Sequence, residues 1–161
     1  MSNDIDLSIT GYCVSFDQPS EDGRPPEERA SYEVLADFCE EIPLWVGHFP
    51  LITSSGFRAV GRVINFAVID GEHWNIPSGV LAYAELTRDW VGVSVFAAIS
   101  SGQLWALSLG GNGKREVSLA DQPAFRTNRI LGWGPAARKV WDLLVPGVAP
   151  DPADHGAGAR P

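Results

Sequence analysis

The chain has 161 residues, enough for one domain with a sizeable core, and 45% of them are hydrophobic against 20% charged, the composition of a globular protein. A formal net charge of −8, with no basic run longer than Lys114-Arg115, excludes the basic face that nucleic acid or an acidic membrane surface requires. No apolar run approaches the ~20 residues that cross a bilayer, the opening MSNDIDLS is too acidic and polar for a signal peptide, and Cys13 and Cys39 stand singly, so both are expected as buried free thiols of a reducing compartment.

Leu7 to Phe16 (LSITGYCVSF) alternates and is rich in β-branched and aromatic residues, which predicts a first strand, broken or bulged at Gly11. Asp17 to Pro26 carries Pro, Asp-Gly and Pro-Pro and is a loop. Glu27 to Ile42 reads as a helix. Its first turn is acidic, Tyr32, Leu35, Ala36 and Cys39 share one face, and Pro43 stops it. Leu44 to Pro50 is a short apolar strand carrying His48, followed by a turn at Ser54-Ser55-Gly56. Phe57 to Ile69 is a longer strand pattern interrupted at Gly61, with a hairpin signal at Asp70-Gly71, and Gly79 to Thr87 is another strand. Asp89 to Ser100 fits both periods. Its β-branched content favours a strand, but the spacing of Trp90, Val93, Ser94 and Ala97 behind Asp89 and its length favour a helix, with Gly102 as the stop.

Leu104 to Leu119 (LWALSLGGNGKREVSL) reads as a hairpin with Ser108 at the end of its first strand. Ala120 to Phe125 is a loop, Arg129 to Leu131 adds a short strand, and Gly134-Pro135 opens a last helix to about Val145, with Val140, Leu143 and Leu144 on one face. Pro146 to Pro161 is low in apolar content and rich in Pro, Gly and Ala. The expected fold is α+β: a β-barrel-like, bent antiparallel sheet with about three helices packed outside. Residues 1–145 are expected to form a single domain and 146–161 a disordered tail.

The chemistry concentrates in the Ser108 hairpin. Gly110, Gly111 and Gly113 let backbone approach a ligand closely and aim N–H groups at it, the setting that an oxyanion needs. Backbone N–H groups from Leu109 to Gly111, with Arg115 beside them, are the candidate donors. His48 at the end of an apolar strand is a candidate base, and Glu116 opening the second strand of the hairpin could orient an imidazole. The same residues also fit an ordinary hairpin serine, a structural histidine and a solvated strand-end carboxylate. His73 lies in a hairpin tip and His155 in the tail. No H-x-x-x-H, H-E-x-x-H or paired-cysteine spacing points to a metal, no G-x-x-x-x-G-K-[ST] to a nucleotide, and no G-x-S-x-G to an α/β-hydrolase.

The order of these pieces resembles the phage prohead (capsid-maturation) proteases, which share a clan and a β-barrel-like fold with the herpesvirus assemblins. Ile9-Thr10-Gly11-Tyr12 running to Phe16-Asp17-Gln18-Pro19 resembles the family's opening segment. Gly47-His48 resembles its histidine motif and Gly61-Arg62-Val63 the strand after it. Ala106-Leu107-Ser108-Leu109-Gly110 resembles its G-L-S-I-G motif, and Glu116 to Ala124 its E-V-S-L-V-x-x-P-A segment. The resemblance implies a serine endopeptidase with Ser108 as nucleophile, His48 as general base and Glu116 as third member, without cofactor or metal. It implies a capsid or scaffold protein as substrate, inside an immature viral shell in the host cytoplasm, and leaves room for a homo-oligomer.

Three departures stand out. The segment between Ser108 and Glu116 is shorter than in the family, Ala106 replaces the leading glycine of the serine motif, and Cys39-Glu40-Glu41 replaces the P-G-A-F stretch before the histidine. Assemblin-type relatives use a second histidine as third member, which keeps His73 as a candidate. Two other functions fit the same residues: a catalytically silent structural or scaffold protein of this fold, and a small β-barrel binding module.

Overall fold

The computed structural model describes residues 5–16, 42–46, 59–110, 116–121 and 128–150, and of His73 the backbone alone. Its strands are β1 (Ser8–Ser15), β2 (Ile42–Val46), β3 (Gly61–Ile69), β4 (Gly79–Leu86), β5 (Ala106–Gly110), β6 (Glu116–Ala120) and β7 (Ile130–Trp133). They form one seven-stranded sheet in the order β5-β6-β2-β3-β4-β1-β7. Neighbours run antiparallel except β2 and β6, which are parallel, so the sheet is mixed where an antiparallel one was expected. Two α-helices, α1 (Trp90–Ser100) and α2 (Pro135–Leu144), and a 3-10 turn (Glu72–Trp74) are found among the described residues, against about three helices expected. The early helix read from Glu27 lies outside those residues up to position 41. Ile42, assigned to its end, is instead the first residue of β2.

Pro43 therefore sits inside a strand rather than ending a helix. It is tolerated because pairing of β2 with β6 starts only at Leu44, so at Pro43 the strand is paired on its β3 side alone.

The two outer strands of the sheet meet. Ala106 of β5 forms a bridge with Arg129, Leu107 N–H donates to the Asn128 carbonyl at 3.2 Å, and Ile130 N–H donates to the Trp105 carbonyl at 2.9 Å. The sheet is thereby nearly closed into a barrel, which covers the first residues of two edges that would otherwise be open to other chains. Asn128, 1% exposed, fastens this seam to β1: its Nδ2 donates to the Cys13 carbonyl at 3.2 Å, and the Ser15 hydroxyl donates to its Oδ1 at 2.8 Å. The bulge expected near Gly11 is present as register shifts on both flanks of β1. A Cβ at Gly11 would stand 2.4 Å from the Arg129 carbonyl oxygen, so only glycine lets the seam come this close.

Ile9, Leu44, Val63, Leu86, Leu107 and Leu119 fill the barrel, and α1 adds Val91, Val95 and Ile99 to the same cluster. Asp89 caps α1 by accepting from Gly92 N–H at 3.0 Å, and Gly102 (φ +83°) ends it. The helix was expected from the spacing of Trp90, Val93, Ser94 and Ala97, yet Trp90 is 61% and Val93 43% exposed. Its sequence is apolar on both faces, and the stripe Val91-Val95-Ile99 is the one that packs inward.

A second apolar layer lies outside the barrel, where Tyr12, Leu81 and Tyr83 meet Ala137 and Trp141 of α2. Trp141 packs edge-on against Tyr83 with ring centroids 5.9 Å apart. Leu143, expected on the packed face, is 79% exposed, because the buried stripe of α2 runs through Ala137 and Trp141. Beyond α2, the Trp141 indole N–H donates to the Val148 carbonyl at 2.8 Å and Pro150 is buried, so residues 146–150 are bonded to the domain.

Candidate active site

Ser108 is the central residue of β5, not its last, because Gly110 continues the strand opposite Glu116. Its neighbours anchor it. Leu107 is 1% exposed and Leu109 packs against the barrel core, so alternation turns Ser108, half-buried, to the outer face. Ser108 pairs with Ser118 of β6, and Ser118 pairs with Trp45 of β2, which makes one row across three strands. Glu116 lies two positions from Ser118 on the same face and is half-buried. It is thus the diagonal neighbour of Ser108, at about 7 Å between Cβ atoms for antiparallel strands.

The hydrogen-bond alternation of the β5–β6 pair is set by Leu107, whose N–H is directed away from β6 to Asn128. Ser108 and Ser118 are then the pair that exchanges backbone bonds, and Leu109 N–H points off the outer side of β5, past the seam. Of the expected oxyanion and substrate-binding group, Leu109 offers a backbone donor while its side chain belongs to the core, and Gly110 lies in the strand beside Glu116. Gly111 and Arg115 lie outside the described residues.

His48 also lies outside them. Val46, the last described residue before it, pairs with Leu119, one residue from Ser118. The strand that leads to the histidine and the strand that carries the serine are therefore separated by β6 alone. Of His73 only the backbone is described, in the 3-10 turn that joins β3 to β4.

Trp45 was not singled out from the sequence. It stands on the outer face with Ser118, half-buried, and its indole nitrogen is, among the described residues, the buried side-chain polar atom that has no hydrogen-bond partner. A lone tryptophan beside Gly47-His48 in an otherwise aliphatic strand was the available signal.

Among the described residues no three His, Cys, Asp or Glu side chains gather as a metal site would require. A shallow cleft of about 260 Å³, lined by residues of β3 and β4 that include Arg62 and Glu85 and by Thr87 and Arg88, shares no residue with the serine face.

No family model matches the chain, and no curated protein matches its sequence. Among solved structures it is similar to KSHV protease, a herpesvirus assemblin, seen in complex with a hexapeptide phosphonate inhibitor. The identity is 12% and the TM-score 0.49, and the match covers 76% of this chain. It spans 63% of the length of that protein. This likeness does not single out the phage prohead proteases.

Proposed function

We propose that the chain is a serine endopeptidase that cleaves a capsid or scaffold protein during maturation of a viral shell. The observation that carries this reading is the outward Ser108, held between two core leucines on a half-buried polar face with Glu116 diagonal to it. A serine kept only for solubility does not need a rigid backbone on both sides. A nucleophile does, because misplacement by about 1 Å can cost 10²-fold in rate.

In the proposed reaction Ser108 Oγ attacks the peptide carbonyl carbon while a ring nitrogen of His48 takes its proton. The tetrahedral oxyanion is met by the backbone N–H of Leu109, with Gly111 and Arg115 as further donors, while the Gly110 N–H is turned to β6 by its pairing with Glu116. Collapse breaks the C–N bond, His48 returns the proton to the leaving amine, and an acyl-enzyme remains. Water, deprotonated by the same imidazole, then releases the acid and restores Ser108. Glu116 orients His48 and stabilises its charged form. Substrate would be met in the immature shell, in the host cytoplasm, and the reaction calls for no cofactor.

An alkyl fluorophosphonate tests this directly. The expected result is a covalent adduct on Ser108, lost in Ser108→Ala, together with cleavage of a co-expressed capsid or scaffold protein by the wild type alone. A folded chain that takes no label would move the protein to the silent structural reading.

A further inference from the structure

We infer that the indole N–H of Trp45 is a hydrogen-bond donor to the main chain of a bound peptide, on the β2 side of Ser108. This rests on the endopeptidase reading. Trp45, Ser118 and Ser108 form one row on the outer face, so two strand spacings, about 10 Å, separate the Cα atoms of the tryptophan and the serine. A tryptophan side chain and an extended peptide lying over Ser108 together span that gap.

The state of the N–H directs the inference to a ligand. Buried indole N–H groups normally find an acceptor, and an unmet donor shielded from water disfavours the fold. Trp141 follows the rule by donating to the Val148 carbonyl. Trp45 does not, although Ser118 and Glu116 present oxygen atoms on the same face. A peptide supplies carbonyl acceptors at every residue, whatever its side chains. Trp45 is half-buried, so ring rotation can present its N–H to an arriving carbonyl. The contact adds grip on the main chain without selecting a side chain, which suits a substrate bound in extended form. Trp45 takes no part in the bond changes; it is a binding residue.

The experiment compares two reagents on the full chain. An alkyl fluorophosphonate reports Ser108 alone, whereas a side-chain-randomised mixture of tripeptidyl diphenyl phosphonates also offers main-chain carbonyls. Two variants remove the donor: Trp45→Phe, and replacement of the indole by benzothiophene, which keeps the shape and puts sulfur in place of N–H. The expected result is an unchanged rate with the alkyl reagent, about a 3- to 10-fold slower rate with the peptidyl mixture, the worth of one hydrogen bond, and a melting temperature equal to or above that of the wild type. Equal rates with both reagents would overturn the inference, and so would a lowered melting temperature with both rates reduced in the shape-preserving variant, which would make Trp45 structural. Absence of alkyl labelling in the wild type would remove the endopeptidase reading, and the inference with it. Peptidyl labelling absent where alkyl labelling occurs would overturn the inference alone.

Discussion

Along β1 every residue from Ser8 to Ser15 is buried, whereas along β6 buried and half-buried residues alternate from Glu116 to Ala120. The two strands belong to the same sheet and differ in what lies outside it. β1 and β4 carry α2 on their outer face, so Tyr12, Leu81 and Tyr83 are buried there as the residues of the barrel interior are. β5, β6 and β2 present Ser108, Ser118, Glu116 and Trp45 on theirs. One side of the barrel invests its outer face in stability. The other keeps an outer face of hydroxyl, carboxylate and indole groups on a backbone anchored by Leu107, Val117 and Leu119 beneath. A substitution should therefore change stability on the first side and chemistry on the second.

The largest expected effect is on the serine side. Ser108→Ala should remove fluorophosphonate labelling and peptide cleavage altogether, a loss of 10³-fold or more by the scale of nucleophile deletions, while the melting temperature stays within about 1 °C. A large thermal shift would break the contrast, because it would make Ser108 part of the framework. Glu116→Gln should weaken cleavage by about 10²-fold, less than loss of the nucleophile, since an orienting group acts through the base. Its far-UV spectrum and melting curve should match the wild type.

On the covered side the effects are thermodynamic. Trp141→Ala empties a fully buried site between α2 and the outer face of the sheet, beside Tyr83, and should destabilise by about 3–5 kcal/mol in urea titration. Truncation after Val145 removes the carbonyl that accepts the Trp141 N–H and should cost about 1–3 kcal/mol. The tail would be dispensable, as its composition suggests, only if truncation began beyond Val148. The smallest effect is at Cys13. Burial pushes its thiol well above the ordinary cysteine range, outweighing the opposing backbone hydrogen bond. In the folded chain iodoacetamide should leave Cys13 unmodified by residue-level mass spectrometry, even at mildly alkaline pH, where an ordinary thiol ionises.

Those features that depend on a few adjacent residues were legible in the sequence. The alternation of Leu7 to Phe16 marked β1, the Asp89 cap and Gly102 bounded α1, and Pro135 opened α2. The inward face of α1 was not legible, because Trp90-Val93-Ala97 and Val91-Val95-Ile99 are both apolar stripes and only the barrel decides between them. Pro43 was misread for a related reason: a proline ends a helix in isolation, but a strand with one unpaired flank accommodates it. The position of Ser108 within its strand followed from pairing with Ser118, not from the glycines after it. The parallel contact of Leu44 with Val117 joins segments far apart in the chain and leaves no local trace, so the role of Trp45 could not be read before the row was seen.

That parallel contact also governs when the face comes into being. The β5–β6 pair and the β3–β4 pair each link neighbouring stretches of chain, so their loop-closure entropy is modest and they are expected to form early. The β2–β6 ladder must wait until most of the chain has been synthesised and both hairpins stand, since it closes the longest of these loops. Ser108 and Trp45 are therefore strangers until the barrel is nearly finished. On the proposed reading, each chain passes through its own most exposed, most cleavable states before it holds the face that would cut them.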